Sequence, residues 1–222
     1  MTIARNLTPL QCRVIGALLE KEITTPDYYP MTLNALTNAC NQKSNRNPVV
    51  AFEETTVVRG LDGLQEKGLT RKVHETGSRV PKYRHAFMEK FDLSDREVAV
   101  LCGLMLRGPQ TAGEIRSRSE RIYGFGRLEE VEETLQGLMG GEAPRVVKLP
   151  RQAGRKERRY MHLLSGAPEL TEEDLALPPE TATVQVRTDN EKITRLEAEV
   201  GELRREIDAL KRVMDEFKAQ FE

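Results

Sequence analysis

Several residue types and segment types are missing from this chain. It has no tryptophan, aromatic residues make up 5 % of its 222 residues, and no stretch approaches the roughly 18 apolar residues of a membrane span. The first residues also lack the apolar run of a secretory signal. The three cysteines, Cys12, Cys40 and Cys102, are far apart and never form a C-x-x-C pair, which argues against a disulfide framework or a zinc knuckle. These absences predict a cytoplasmic protein without membrane contacts.

Motifs that carry catalysis are missing too. The chain contains no G-x-x-x-x-G-K-[ST] phosphate loop, no H-E-x-x-H and no G-x-S-x-G. Its histidines are His74, His85 and His162. The first two would face each other across a predicted hairpin, but no acidic residue or cysteine completes a metal-ligand set at a recognisable spacing. We therefore expect no catalytic residue, no metal and no cofactor, in a protein that is not an enzyme.

One helical pattern is written twice in the sequence. Leu7-Thr8-Pro9 and Leu93-Ser94-Asp95 each open a run of apolar residues at helical spacing. Both starts carry the pattern of a capping box, in which the cap hydroxyl and the third helical side chain satisfy backbone amides reciprocally. The pairs are Thr8 with Gln11 and Ser94 with Glu97. The pattern predicts equivalent helices at 8–20 and 94–106.

The repeat continues along the chain. Thr32 and Thr111 are each placed to cap a short helix, and the pattern V-x-x-x-L-x-x-L then occurs at Val57 and at Val131. The second pattern predicts equivalent helices at 54–67 and 127–139. β-branched residues around a glycine-bearing turn follow each of these, which predicts a first hairpin at 70–85 and a second hairpin at 145–163.

Three helices followed by a two-stranded hairpin are typical of a winged helix, in which the hairpin is the wing. The sequence thus predicts an α+β, mainly helical fold, with two tandem winged-helix domains and a C-terminal coiled-coil helix. We expect domains at 1–89 and 90–164, an acidic linker at 165–190 and a coiled coil at 191–222. Three prolines and six acidic residues against one arginine make the linker a mostly extended connector.

Four stretches of the first repeat carry a resemblance to a known family. They are residues 20–30, Leu33-Asn-Ala-Leu36, residues 39–46 and the hairpin residues 77–85. They closely resemble the YceH-like bacterial proteins, and the resemblance covers most of residues 7–164. It implies tandem winged helices and a cytoplasmic location, and because the family has no assigned biochemical activity, it supplies no mechanism.

The C-terminal segment has alternating three- and four-residue spacing between apolar residues, which is the heptad pattern of a coiled coil. β-branched residues at a with leucine at d favour two parallel strands, and three pairs of opposite charges flank the seam: Lys192 with Glu197, Glu199 with Arg204, and Glu206 with Lys211. We expect a parallel dimer, although a helix folded against its own modules is the alternative. The predicted seam is Ile193, Leu196, Val200, Leu203, Ile207, Leu210, Met214 and Phe217.

Charge is unevenly distributed, although the whole chain has a net charge of −1. Residues 70–85 hold five basic side chains against one acidic, and residues 145–159 hold seven against one. Such hairpins can lie along nucleic-acid phosphates and gain affinity by releasing counterions. The candidate nucleic-acid contacts are Arg79 and Lys82 in the first hairpin, Arg151, Arg155, Lys156, Arg158 and Arg159 in the second, and Lys43 and Arg46 before the third helix.

The third helices favour a different function. Acidic residues outnumber basic ones on both, so the helices would be repelled by phosphates on both sides of a major groove. The first has Glu53, Glu54, Asp62 and Glu66 against Arg59 and Lys67, and the second has Arg127 followed by Glu129, Glu130, Glu132 and Glu133. The polar segment 41–46, expected to be exposed, offers Asn41, Gln42 and Asn45 to a protein partner instead. Two functions therefore remain: a dimeric protein, such as a regulator, that contacts the double-stranded DNA backbone through its hairpins, or a dimeric protein–protein adaptor.

Overall fold

The computed structural model describes residues 7–74, 80–151 and 157–166, all of which belong to one compact unit. These residues form a mixed α/β protein with seven α-helices and two small antiparallel sheets. Residues 167–222, and with them the predicted seam and nearly all of the predicted linker, lie outside the described residues. No helix in the described ranges is long and apolar enough to cross a membrane.

The first half contains three longer helices, two short elements and a hairpin. In chain order the elements are α1 (Pro9–Thr24), a 3₁₀ turn (Pro26–Tyr28), β1 (Met31–Thr32), α2 (Leu33–Cys40), α3 (Glu54–Glu66), β2 (Thr70–Val73), β3 (Lys82–His85) and α4 (Phe87–Phe91). The second half repeats the order of three helices and a hairpin: α5 (Asp95–Arg107), α6 (Ala112–Ser119), α7 (Leu128–Met139), β4 (Val146–Lys148) and β5 (Tyr160–His162).

The helix starts agree with the sequence. The Gln11 amide donates to the Thr8 hydroxyl at 3.2 Å while the Gln11 side chain accepts from the Thr8 amide at 3.1 Å. Ser94 and Glu97 form the same reciprocal pair, so both predicted capping boxes are confirmed. Thr32 and Thr111 cap α2 and α6 as predicted. Helix α1 continues to Thr24, beyond the predicted end at residue 20.

Both predicted hairpins are antiparallel strand pairs. Strands β2 and β3 pair with Thr70 opposite His85, and β4 pairs with β5 with Val146 opposite His162. Strand β1, which the sequence analysis did not anticipate, joins the outer edge of β3. Because His85 pairs with Thr70, His74 lies at the other end of the hairpin. The expectation that His74 and His85 face each other is therefore wrong.

The two halves pack directly through α1 and α5. Gly16 on α1 has no side chain, and a Cβ atom there would lie only 3.0 Å from Leu106 on α5. The Cys102 thiol donates to the Gly16 carbonyl at 3.4 Å, and the Asn47 amide donates to the Leu106 carbonyl at 2.9 Å. One cluster of buried apolar side chains runs through both halves. Packing between α1 and α5 thus decides how the two halves are placed. The division of the chain into domains at residue 89 stays a prediction.

Candidate functional site

Helix α6 and the chain that follows it present exposed arginines. Ala112, Ile115 and Ser119 are buried at the three- and four-residue spacing of one helix face. The side chains between them therefore point outwards. The exposed arginines in this stretch are Arg116, Arg118, Arg121 and Arg127.

The second hairpin lies beside α6. Backbone hydrogen bonds of 3.1 and 2.7 Å join Gln110, just before α6, to Tyr160 at the start of β5. Next to Tyr160, Arg159 Nη2 is 3.8 Å from Glu114 Oε2, and Arg118 Nη2 is 3.3 Å from the other oxygen of that carboxylate. A single carboxylate thus lies between two guanidinium groups, one from the hairpin and one from α6.

The cationic surface continues from α6 to the end of α5. Arg107 Nη1 donates to the Arg118 carbonyl at 3.3 Å, and Arg107 Nη2 donates to Asn45 Oδ1 at 2.7 Å. Burial, and next the charge of Arg118, lower the pKa of Arg107. Arg121 lines the same small cavity as Arg107 and Arg118. We call these four residues, Arg159, Arg118, Arg107 and Arg121, the arginine band.

The arginine band ends at the polar segment 41–46 of the first half, and there one expectation fails. Arg46 was expected to be exposed, but it is 5 % exposed. Its guanidinium forms two hydrogen bonds with the Glu20 carboxylate, at 2.6 and 3.1 Å, and also donates to the backbone carbonyls of Ala39 and Asn45. Arg46 therefore holds the segment in place and does not present its charge to a ligand.

The rest of segment 41–46 is divided between structural and exposed residues. The Asn41 side chain exchanges two 2.8 Å hydrogen bonds with the backbone of Phe52, which ties it to the loop before α3. Gln42 is half-buried, while Lys43 and Asn45 are exposed. Asn45 has a positive φ of 59° and faces Arg107. Lys43, Gln42 and Asn45 thus stay candidates for a contact, whereas Asn41 is engaged within the fold.

The remaining predicted contact residues lie in the hairpins. Arg151 and Arg158 are exposed, and Lys82 is half-buried in β3. Three further candidates, Arg79, Arg155 and Lys156, lie outside the described residues. The described part of the second hairpin therefore places exposed arginines on both of its arms.

The outer faces of the third helices are acidic, as the sequence predicts. Glu54, Asp62 and Glu66 are exposed on α3, and Glu129, Glu132 and Glu133 are exposed on α7. Their carboxylates are opposite in sign to the arginine band. Among the described residues, the exposed faces of the third helices and the arginine band therefore carry opposite charges.

His85, His162 and the three cysteines are buried in the fold, whereas His74 is exposed. His85 Nδ1 accepts from the Phe87 amide, Nε2 contacts the Glu22 carboxylate, and burial lowers the pKa of His85. Burial raises the pKa of Cys12 to about 11. Within the described ranges, no group of three or more His, Cys, Asp or Glu side chains is arranged to hold a metal ion.

Sequence reasoning missed most of the arginine band. The charge count covered only the predicted hairpins, and it therefore did not include Arg107, Arg118 and Arg121. The available signal was the density of arginine in 116–127, where four occur in twelve residues. That density does not reveal that Arg107 and Asn45 join the same surface, because their contact depends on how the halves pack.

Comparison with known proteins gives consistent matches along the whole chain. A family model described as "Protein of unknown function, DUF480" matches residues 7–155. A UPF0502 protein of Geotalea uraniireducens (strain Rf4) is 55 % identical over 217 residues, which cover 98 % of this chain and 99 % of the relative. A UPF0502 protein of Geobacter metallireducens is 55 % identical over 216 residues, covering 97 % and 98 %. One from Solibacter usitatus is 53 % identical over 217 residues, covering 98 % of each chain.

Proposed function

This chain belongs to the DUF480 family of bacterial proteins, and from its arginine band we propose that it binds the backbone of double-stranded DNA. In this proposal it is a cytoplasmic, non-enzymatic protein built from two winged-helix modules. The modules are α1–α3 with the β2–β3 hairpin and α5–α7 with the β4–β5 hairpin. A coiled coil along the predicted seam pairs two chains into a dimer.

The observation that carries the proposal is the continuity of the arginine band. It connects the second hairpin through α6 and α5 to Asn45 in the first half, by contacts of 3.8 Å or less between successive groups from Arg159 to Asn45. Exposed Arg158 and Arg116 add to the same part of the second half. A row of cations can replace counterions along successive phosphates, which is the main source of sequence-independent affinity for DNA.

The acidic third helices argue that the contact is with the backbone and not with base edges. A helix in the major groove lies between two rows of phosphates. The exposed carboxylates of α7, Glu129, Glu132 and Glu133, would be repelled by both rows. Contacts through arginines to phosphates orient a protein on the duplex but carry no sequence information. We therefore expect binding that depends weakly on sequence and strongly on salt.

The test is a salt titration of duplex binding, starting at about 50 mM salt, where non-specific contacts are strong. Log affinity falls as log salt rises, and each lost phosphate contact makes this slope less steep by about 0.9. We expect Arg118→Gln to make the slope less steep by about 0.9, the contribution of one contact. The triple change Arg155→Glu, Lys156→Glu and Arg158→Glu should make the slope less steep by the contribution of up to about three contacts. The change in slope should be similar for duplexes of unrelated sequence. The matched control is Arg59→Gln, which removes an exposed arginine from α3, outside the arginine band.

Two results would contradict the proposal. One is the absence of duplex binding by the wild-type protein at low salt. The other is an unchanged slope in both Arg118→Gln and the triple variant. Either result favours a protein–protein adaptor.

The adaptor function has its own supporting observation, the exposed acidic surfaces of α3 and α7. A partner with a basic surface could bind there without using the arginine band. A pull-down from lysate with and without nuclease separates the two functions, because a bound protein stays after nuclease treatment and a protein bridged by DNA is lost. Reversing Glu132 and Glu133 to lysine should abolish capture only in the adaptor case.

A further inference from the structure

A small cavity lies where the two halves of the described structure meet. It has a volume of about 130 Å³ and is formed by the end of α1, the segment 41–46, α5 and α6. We call it the junction pocket. Its floor is apolar and comes from α5, with Ala99, Cys102 and Leu106. Its polar side chains include Lys21, Ser44, Asn45, Arg107, Arg118 and Arg121.

The charges around the junction pocket do not balance. Four of the side chains that line it are cationic, Lys21, Arg107, Arg118 and Arg121, and one is anionic, Glu20. Glu20 is already bound through both oxygens by the buried guanidinium of Arg46, behind the pocket, at 2.6 and 3.1 Å. Its negative charge is therefore compensated by Arg46, and Lys21 Nζ also lies 3.8 Å from Glu20 Oε2. The pocket keeps an excess of positive charge against an apolar floor.

Arg107 is held beside Arg118 by contacts that do not neutralise it, whereas the Arg118 guanidinium is paired with Glu114, with 3.3 Å between Arg118 Nη2 and Glu114 Oε1. Arg107 donates to the Arg118 carbonyl and to the Asn45 side chain, which are both neutral acceptors. Burial, and next the charge of Arg118, lower the pKa of Arg107, while Glu20 acts in the opposite direction. Arg121 has no ion-pair or hydrogen-bond partner among the described residues. A bound anion would relieve this repulsion and use guanidinium donors that remain available.

We propose that the junction pocket is a binding site for one phosphate group, held by Arg107, Arg118, Arg121 and Lys21 with Ser44 and Asn45 as additional donors. A phosphate matches the site because guanidinium groups bind its oxygens in pairs and because the cavity has room for a group larger than a water molecule. The inference goes beyond DNA binding. The phosphate can belong to a free phosphorylated molecule or to the backbone of a bound duplex.

Because its ligands come from both halves, a bound phosphate would stabilise the junction. Asn45 and Lys21 belong to the first half, and the three arginines belong to the second. A ligand that binds only the folded arrangement raises the unfolding temperature in proportion to the logarithm of its concentration. For a protein of this size, phosphate at about ten times its dissociation constant should raise the midpoint by about 3–5 °C.

The experiment uses the full chain with inorganic phosphate and adenosine monophosphate as probes. Titration calorimetry and thermal melts are run against sodium chloride at equal ionic strength. The wild type should bind one phosphate per chain. Arg121→Gln should weaken binding about fivefold, the effect of one exposed cation, and Arg107→Gln should weaken it on the order of tenfold. Arg121 is exposed and makes no described contact, so this variant tests the site without disturbing the fold.

The matched control is Arg127→Gln, which removes an exposed arginine just before α7 that belongs neither to the arginine band nor to the lining of the junction pocket. It should bind phosphate like the wild type. Equal phosphate and chloride effects on the wild type would overturn the inference. So would equal weakening by Arg121→Gln and Arg127→Gln, because that result means general screening and not a site.

A competition arm identifies the source of the phosphate. If a duplex displaces adenosine monophosphate from the wild type, the pocket takes a backbone phosphate. If both bind together, the pocket serves a free phosphorylated molecule. Phosphate binding without any duplex binding would refute the proposed function and leave the pocket standing. Duplex binding without phosphate or nucleotide binding would refute the pocket as a phosphate site and leave the proposed function standing.

Discussion

The buried ion pair between Arg46 and Glu20 allows a quantitative prediction about stability. The Arg46 side chain is 0 % exposed and the Glu20 side chain 11 %, and their closest atoms are 2.6 Å apart. Replacing Arg46 with methionine keeps most of the apolar volume but removes the buried partner of the Glu20 carboxylate, which keeps only Lys21 Nζ at 3.8 Å. It also removes the donors to the carbonyls of Ala39 and Asn45. The change therefore removes a charge pair and an anchor of segment 41–46 together.

The magnitude follows from the cost of stranding a buried charge. Breaking a buried pair by removing one partner costs about 3–5 kcal/mol, out of a typical domain stability of about 5–15 kcal/mol. For a chain of this length we expect Arg46→Met to lower the thermal midpoint by about 10 °C. Lys43→Ala, an exposed change three residues earlier, should stay within about 0.5 kcal/mol of the wild type.

The assay is urea unfolding followed by circular dichroism, with the double variant Glu20→Met, Arg46→Met completing the comparison. Replacing both charges removes the stranded carboxylate, so the double variant should recover about 1–3 kcal/mol relative to Arg46→Met alone. A loss below about 1 kcal/mol in Arg46→Met would refute the reasoning. It would mean that Arg46 contributes little to the fold, and its role as a ligand contact would have to be reconsidered.

Two further predictions concern pH and assembly. Burial lowers the pKa of His162 from 6.5 to about 4, so its contribution to stability is present above pH 6.5 and is lost as the pH falls towards 4. Between pH 7 and pH 5 the wild type should lose about 2 kcal/mol more than His162→Gln in urea unfolding, and equal losses would contradict the assignment. The wild-type chain should sediment as a dimer and Leu203→Pro as a monomer, because proline breaks a helix and Leu203 lies mid-seam. A wild type that stays monomeric at tens of micromolar, on the order of working concentrations, would refute the predicted coil.

The arginine band and the junction pocket share Arg107, Arg118 and Arg121, which links the two proposals. If the phosphate in the pocket comes from a duplex, the band positions the second hairpin along the backbone and the pocket holds one fixed point. If the phosphate is free, it changes the net charge of the band by adding negative charge at one end. In that case adenosine monophosphate should weaken duplex binding without competing for the same atoms.

The order of elements in this protein was determined by local sequence. Residues three or four positions apart form the capping boxes at Thr8 and Ser94 and the V-x-x-x-L-x-x-L rows. Such contacts form within one helix and do not depend on the rest of the chain. The hairpins likewise follow from neighbouring β-branched residues and turns. The strand β1 was not foreseen, because two residues carry no period of their own and become a strand only beside β3.

The candidate site was decided by tertiary structure. Sequence alone identified basic hairpins, acidic third helices and a polar segment at 41–46, because charge can be counted without knowing contacts. It assigned Arg46 to the surface because residues 41–46 contain no apolar residue, yet the guanidinium is buried against Glu20, 26 residues away. It also passed over Arg107, which meets Asn45 across 62 positions. Both outcomes depend on how α1 packs on α5, and long-range packing is set by the shapes of two helix faces together, which no local pattern contains.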